Sequence, residues 1–403
     1  MITTIDLSAC REEILKQIFS YDEKVISSIV RALGGDIRDI LASLIKPPER
    51  LYMRVNLLKT TREEVIELIE REGYRAYEDE VLDEAIYIPI EGPYEIEPLG
   101  ERVVADKRAS EAVMMGSNLY SPGVISCEGV RKGDKVHIVS ENGLLLAVGR
   151  ASVNCEEALR SRRGIFIEVE KSVYRSAPIR ELRAWREGLI YPQSLPSMAA
   201  SRMLDPKPGD VIIDMCAAPG GKSGHMFELS RGMATIHAID HSMKRIEEMR
   251  QNIRRLGYID MINIHRLDAR YISKDLAGVK PNKIILDPPC SSTGVKPKLW
   301  HRIAWKDLES LKKYQIQFIE EAHRSLTDKG ILVYSTCSIT YDENELLIGD
   351  TIEKGLFEII EPPYWAKKIS SISKTGWIRL DPRKGNTGFF IAILRKRGTV
   401  RTP

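Results

Sequence analysis

The sequence predicts an α/β protein whose C-terminal part is a doubly wound parallel sheet, preceded by an inserted β-barrel and a small N-terminal α+β unit. Three observations carry this. From about residue 205, strand-like apolar runs alternate with helical segments, the pattern of a parallel sheet covered by helices on both faces. Between about 99 and 178 the pattern changes to short strands separated by glycine-rich turns. Before that, strand–helix–strand segments follow a helical start. At 403 residues the chain exceeds one ordinary domain, and the changes of pattern divide it into 1–98, 99–178 and 179–403.

Taken in order, residues 9–45 carry helical periodicity, with Ile14, Ile18, Val25, Ile29 and Leu33 on one apolar stripe and Gly34-Gly35 as a stop. After Pro47-Pro48, residues 51–56 read as a strand. Thr60 or Thr61 caps a helix through Glu70, and 85–90 read as another strand. In the middle unit a helix near 108–116 precedes strands at 135–139, 144–149 and 165–169. The last unit has strand-like runs at 211–214, 235–240, 262–268, 283–287 and 330–335, with helices at 243–256 and 305–326 and a late strand at 388–394. There is no internal repeat.

Composition sets outer limits. A hydrophobic content of 43% and a charged content of 29% describe a globular protein with ample core. No run approaches eighteen uninterrupted apolar residues, and Met1 to Cys10 lack the pattern of a secretory signal, so the expectation is a cytoplasmic protein without a membrane span. The six cysteines (Cys10, Cys127, Cys155, Cys216, Cys290, Cys337) include no C-x-x-C pair. Neither a structural metal site nor a disulfide framework is expected, and most should be small buried apolar groups. A net charge of +3 says little, but basic residues gather at Arg160/Arg162/Arg163, Arg180/Arg183/Arg186, Lys296/Lys298 and Arg395/Lys396/Arg397. Any one such group is ordinarily a solvated face. Five glutamines among abundant Arg, Lys and Glu fit a heat-adapted source.

The chemistry-bearing residues lie in the last unit. Its strands end in Asp214, Asp240, Asp268 and Asp287. One acid at a strand end is as readily a turn residue, but a series at the carboxyl ends of a parallel sheet suggests acceptors around one nucleoside-like ligand. The first strand runs into D-M-C-A-A-P-G-G-K (214–222), where Gly220 and Gly221 permit close backbone approach to a helix N-terminus. The loop is neither G-x-G-x-x-G nor a Walker loop, so a zwitterionic ligand with a ribose fits better than a phosphate. Asp240 would accept from ribose hydroxyls and Asp268 would meet an adenine amino group.

D-P-P-C (287–290) ends the fourth strand, its prolines fixing the path that presents Asp287 and Cys290. S-T-C (335–337) ends the next. Either cysteine alone is ordinary core filler; two at neighbouring strand tips beside a ligand loop point to chemistry. A zinc deaminase is excluded, because P-C-x-x-C and H-x-E are both missing. The residues do not say which thiol attacks.

The segments R-V-N-L-L-K-T (54–60), Y-P-Q-S-L-P-S (191–197), C-A-A-P-G-G-K (216–222), D-P-P-C-S-S-T-G (287–294), Y-S-T-C-S-I (334–339), E-N-E (343–345) and G-F-F-I-A (388–392) closely resemble, in the same order, the Sun/Fmu family of RNA cytosine-C5 methyltransferases. The resemblance implies a Rossmann-like class I methyltransferase domain that uses S-adenosylmethionine. It assigns cofactor contacts to Cys216, Ala217, Ala218, Pro219, Gly220, Gly221, Lys222, Asp240, Arg245, Asp268 and Asp287. The family's nucleophile falls on Cys337 and the thiol that assists release falls on Cys290. Lys222 and Asp287 match residues that position the base and move protons. Two departures keep the chemistry intact: Pro288 stands where many members have alanine, and Asp240 where many have glutamate.

That chemistry explains the need for a thiol. Cytosine C5 is a poor nucleophile, and a thiolate added at C6 makes it enamine-like. The run 103–124 followed by V-R-K-G-D-K-V (130–136) resembles a PUA domain, and the N-terminal unit is RRM-like. The PUA-containing branch methylates cytosine 72 of the tRNA acceptor stem and grips the CCA end, so tRNA is the expected partner of a monomer with no obligatory protein partner. Lys107, Arg108, Tyr120, Arg131 and Lys132 are the candidate RNA contacts. Ribosomal RNA is the alternative substrate. A non-catalytic RNA-binding factor is disfavoured by the intact pair of thiols, and a DNA methyltransferase by the T-C motif.

Overall fold

The computed structural model describes residues 12–370, 372–374 and 376–398. Met1–Cys10, and with it the Cys10 thiol, lies outside the described residues. The C-terminal unit is built on a nine-stranded sheet whose centre is five parallel strands in the order Ile262–Arg266, Thr235–Asp240, Val211–Asp214, Lys283–Leu286, Ile331–Thr336. Phe389–Lys396 adds antiparallel to the last of these, and Phe357–Ile360 and Trp377–Leu380 pair with it in turn. Because both faces are covered, the strands are near-continuous apolar runs. Ile212 and Val333 enter one core layer while their neighbours Ile213 and Leu332 enter the other. Strand order reverses between Val211–Asp214 and Lys283–Leu286, which opens a crevice at their carboxyl ends.

Local signals set the helices on this sheet. Met243–Leu256 starts where the Ser242 side chain accepts from Arg245 N, and stops at Gly257, whose φ of 93° suits glycine. Trp305–Ser325 packs Leu308, Phe318, Ile319 and Ala322 inward.

The middle unit is a six-stranded mixed sheet ordered Leu119–Tyr120, Ile165–Ser172, Leu145–Ala151, Lys135–Ser140, Glu101–Ala105, Val124–Ser126. Its helix Lys107–Met114 is capped by Asp106, which accepts from Ala109 N. Here one expectation is corrected. Cys127 and Cys155 form a disulfide, with Cα atoms 5.6 Å apart across a sequence separation of 28. Spacing arguments see only near neighbours, whereas this pair meets because the segment after Val124–Ser126 returns against the start of helix Cys155–Ser161. Proteins of heat-adapted organisms keep disulfides even inside the cell.

The single N-terminal helical stretch read from periodicity is three helices, Glu12–Ile18, Glu23–Leu33 and Ile37–Ile45. Gly34 at φ 68° ends the second, and Asp36, accepting from Arg38 N, begins the third. Between the first two, Phe19–Tyr21 pairs in parallel with His301–Ile303 of the C-terminal unit. The following four-stranded antiparallel sheet is ordered Ile190–Pro192, Arg50–Val55, Ala85–Pro89, Tyr77–Glu78. Its helix Arg62–Arg71 is fixed by a capping box between Thr61 and Glu64. The structure thus returns 177–192 to the N-terminal unit rather than to the domain starting at 179. Ala177, Ile179, Leu182, Ala184 and Ile190 bury against Met53, Val55, Val65 and Ile69, an apolar face that the short local strand did not advertise.

A buried ion pair joins this unit to the catalytic half. Arg54, wholly buried, gives Nε and Nη2 to the Glu228 carboxylate at 2.7 and 2.9 Å and Nη1 to Gly221 O at 2.7 Å, and it also reaches Gln193 Oε1. Arg54→Met strands the Glu228 charge in the interior and should cost about 3–5 kcal/mol in urea unfolding. The double variant Arg54→Met/Glu228→Leu should recover most of that, and equal losses in both would show that the pair is not energetically coupled.

Candidate active site

The crevice is framed by the first strand's loop. Asp214 is buried, takes a 2.7 Å hydrogen bond from Ser223 Oγ on one oxygen, and leaves the other without a protein partner. Burial pushes its carboxyl up to about 6, against the hydrogen bond from Ser223 and the Lys222 charge, which hold it down. Gly220, at φ 96°, turns the chain into helix Gly221–Leu229, and a Cβ on Gly221 would sit 2.7 Å from the Tyr191 ring. The resulting cavity of about 230 Å³ is lined by Tyr191, Gln193, Asp214, Cys216, Ala217, Ala218, Pro219, Gly221, Lys222 and Asp287.

A second, narrower cleft opens on the other side of Cys216, lined by Asp240, Arg245, Leu267, Asp268, Pro289, Tyr314 and Phe318. Asp240 accepts from Ser242 N at 2.9 Å and pairs with Arg245 Nη1 at 3.2 Å, while Arg245 also reaches Ala218 O. Arg245 therefore ties the glycine-rich loop to Asp240. Asp268 is held by Arg270, which bonds both carboxylate oxygens and keeps its pKa below the usual carboxylate range. The two clefts, one charged and one flanked by aromatic rings and strand-end acids, fit the halves of an aminoacyl-type nucleoside such as S-adenosylmethionine. The orphaned oxygen of Asp214 is an acceptor such a ligand's ammonium would satisfy. Among the described residues no group of three or more His, Cys, Asp or Glu is arranged to hold a metal ion.

At the rim, Lys222 Nζ lies 2.5 Å from Asp287 Oδ2, and Ser335 Oγ donates to Asp287 Oδ1 at 3.2 Å. Burial opposes the charge on Lys222, but Asp287 outweighs it and raises the ammonium's pKa. Cys290 and Cys337 sulfurs stand 3.4 Å apart, with the Ser292 hydroxyl 3.5 Å from Cys337 Sγ and 4.0 Å from Cys290 Sγ. The contact separates the two thiols. Hydrogen bonding from Cys290, ahead of the opposing effect of burial, lowers Cys337, while the same contact and burial raise Cys290 well above the ordinary thiol value. The two thiols share this contact and titrate as a pair rather than as independent groups. Cys216, by contrast, is pushed up first by burial and then by the surrounding acids.

What holds the two cysteine loops in register is a residue to which the sequence gave no role. Glu343, wholly buried, accepts from Ser291 N at 2.8 Å, Ser291 Oγ at 2.5 Å, Ser338 Oγ at 2.6 Å, Thr340 Oγ1 at 2.9 Å and Gln315 Nε2 at 2.9 Å. Ser291 follows Cys290 and Ser338 follows Cys337, so one carboxylate spans both. Asn344 completes the clamp, accepting from Thr336 Oγ1 and donating to Ser338 O and Thr340 O. In sequence, E-N-E (343–345) stands only as one of the segments of the family resemblance; the fold shows that Glu343 and Asn344 are interior.

The candidate RNA contacts do not form one patch. Tyr120, 55% exposed, lines a groove of about 1060 Å³ between the middle and N-terminal units, together with Tyr74, Tyr94, Lys171, Arg175 and Arg180. Lys107 instead caps the Trp300 ring, Nζ 3.7 Å from its centroid, and Arg108 is exposed beside it in the same helix. Arg131 and Lys132 are exposed in the turn before Lys135–Ser140 and do not line the groove. Lys171, Arg175 and the two additional tyrosines were not picked out from sequence because they come together only across two domains.

Glu343→Gln turns one acceptor into a donor facing hydroxyls that already donate. It should lower the methyl-transfer rate on the order of 10²-fold through misplaced thiols, with cofactor affinity by calorimetry unchanged. A proportional loss of cofactor binding would show that Glu343 supports the whole domain rather than the thiol loops.

Residues 201–395 match the family model described as 16S rRNA methyltransferase RsmB/F, residues 101–173 a PUA domain, and residues 23–96 the ferredoxin-like domain of RsmF/B-like methyltransferases. A tRNA (cytosine(72)-C(5))-methyltransferase of Pyrococcus horikoshii is 40% identical over 362 residues, 89% of this chain and 92% of that protein. The human tRNA (cytosine(72)-C(5))-methyltransferase NSUN6 is 28% identical over 85% of this chain and 80% of its own length. The crystal structure of NSun6 from Pyrococcus horikoshii, solved with SFG, superposes with a TM-score of 0.87 at 38% identity, covering 94% of this chain and 99% of that one. The chain belongs to the Sun/RsmB–F family of methyltransferases, in the form that joins a ferredoxin-like and a PUA domain to the catalytic one.

Proposed function

We propose that the protein is an S-adenosylmethionine-dependent tRNA (cytosine-5)-methyltransferase that forms 5-methylcytosine at position 72 of the acceptor stem, through a covalent bond between Cys337 and cytosine C6. The observation that carries the mechanism is the pair of sulfurs 3.4 Å apart beside the Lys222–Asp287 ion pair, at the mouth of the crevice. The substrate reading is supported by relatives named for cytosine 72 of tRNA, which match over most of their length, whereas the Bacillus subtilis protein named as a probable ribosomal RNA methyltransferase is 28% identical over 67% of this chain.

The cofactor supplies an electrophilic methyl group to the activated C5. The chain's own residues do the rest. The Cys337 thiolate adds to C6, and the electron pair displaced from the C5–C6 double bond makes C5 nucleophilic while N3 gains basicity. Asp287, a carboxylate held by Lys222 and Ser335, lines the crevice as the acceptor for the proton that N3 takes up as it gains basicity. After methylation the C5 proton leaves to a base, the C5–C6 double bond re-forms and the Cys337–C6 bond breaks. Cys290, protonated and in contact with that sulfur, assists the release. The target base pairs within a stem and has to be flipped out, which requires a grip on flanking RNA. The tyrosine- and arginine-lined groove offers stacking faces and cations for the single-stranded CCA end. No described helix is long and apolar enough to cross a membrane. The reading extends to a cytoplasmic monomer without an obligatory protein partner, since one chain carries both the reactive site and the groove.

Incubation with labelled S-adenosylmethionine and total tRNA, followed by mapping of the label, tests this. Wild type should methylate cytosine 72 and Cys337→Ala should transfer nothing detectable; full transfer by the variant, or label confined to ribosomal RNA, contradicts the reading. Arg175→Glu combined with Arg180→Glu should weaken tRNA binding by at least about tenfold at moderate salt, and unchanged affinity removes the groove from the account.

A further inference from the structure

Lys298 is a buried cation that the chemistry above does not use. Only 6% of it is exposed, and its ammonium donates to a neutral group, the Ser292 carbonyl, at 2.8 Å. A buried ammonium held by one carbonyl is costly unless a negative charge stands nearby. The residue it grips is the one whose hydroxyl touches both active-site sulfurs. Ser292 has φ 53°, a left-handed conformation that a serine adopts only where its surroundings impose it. Here that turn gives the carbonyl to Lys298 and the hydroxyl to the thiols.

The charge balance around Cys337 needs such a cation. Facing it are Asp287, which opposes its ionisation, Cys290, Lys222 and Lys298. Lys222 is already committed to Asp287 at 2.5 Å, so that pair is close to neutral as a unit. Lys298 is the remaining positive charge. Around Lys298 itself stand Glu111, Lys107 and His301.

Its position is fixed from outside the catalytic domain. Lys298 N donates to Leu44 O of the N-terminal helices at 2.8 Å. The next residue, Leu299, donates its N–H to Glu111 at 3.1 Å and accepts from Asn142 at 3.0 Å, both from the PUA domain. Lys107 of the same PUA helix covers the Trp300 ring. The loop is thus clamped by two other domains against the thiols.

We propose that Lys298 is a positioning residue that holds Cys337 as a thiolate, acting through its charge and through the Ser292 turn, in a loop that the PUA domain locks in place. This deepens the assignment of Cys337 as nucleophile and rests on it. The burial-shifted ammonium of Lys298, lowered by desolvation and held up by Glu111 and the two thiols, is consistent with a cation coupled to those sulfurs.

The test is the pH dependence of iodoacetamide alkylation at Cys337 in the free, full-length protein, read peptide by peptide by mass spectrometry, without RNA or cofactor. The wild-type midpoint should lie below the ordinary thiol value of about 8.5. Lys298→Gln should raise it by about one pH unit or more, which is on the order of tenfold less thiolate at neutral pH, while Lys298→Arg should stay near wild type. Should the Gln variant fail to fold, Ser292→Ala supplies a second reading: loss of the bridging hydroxyl should raise the midpoint by a smaller amount. An unmoved midpoint in a folded Lys298→Gln protein, or an equal rise in Lys298→Arg, overturns the proposal. Because no RNA is present, a role for Lys298 in gripping phosphate would leave the alkylation profile unchanged and reduce tRNA affinity instead. The nucleophile assignment fails separately, through retained methyl transfer by Cys337→Ala.

Discussion

The reactive centre depends on one buried carboxylate. Glu343 receives hydrogen bonds from the residues that follow Cys290 and Cys337, and so sets the distance between two loops that leave different strands. A buried charge is tolerable only when its lone pairs are filled, and here backbone, hydroxyl and amide donors fill them. Removing any one donor leaves a desolvated acceptor, so the clamp is cooperative. With the loops held, the sulfurs meet at 3.4 Å, and that contact drives their proton affinities apart.

The second dependence is between domains. Arg54 reaches from the N-terminal sheet to the carbonyl of Gly221 at the start of the cofactor-loop helix, and Glu111 and Asn142 reach from the PUA domain to Leu299. Parallel pairing of Phe19–Tyr21 with His301–Ile303 adds a third tie. The cofactor loop and the thiol loops are therefore each braced by a domain other than their own.

Much of this was legible in the sequence for physical reasons. The alternation of buried strands and amphipathic helices has a period that cannot be mistaken over two hundred residues, and the acids at strand tips follow from the sheet's polarity. The loop 214–222 and the two cysteines carry motif-level information, so their meeting could be anticipated. What stayed hidden is what only packing creates. Cys127 and Cys155 lie 28 residues apart and meet through a turn of the PUA fold. Residues 179–192 read as the start of the last domain, yet Ile190–Pro192 pairs with Arg50–Val55 of the N-terminal sheet. Glu343 was visible only as part of the E-N-E segment of the family resemblance, and its place in the interior comes from packing alone. Lys298 reads as one of a surface pair with Lys296, and both are buried. Charged residues whose partners come from distant segments have no local signature.

The central claim is that Cys337 forms the bond to the base and Cys290 breaks it. The most direct measurement is to mix the Cys290→Ala protein with tRNA and S-adenosylmethionine, resolve the products on a denaturing gel, and map any cross-linked peptide by mass spectrometry. The account predicts a stable protein–RNA adduct with the nucleotide on Cys337. No adduct, or an adduct mapped to any other residue, would contradict it.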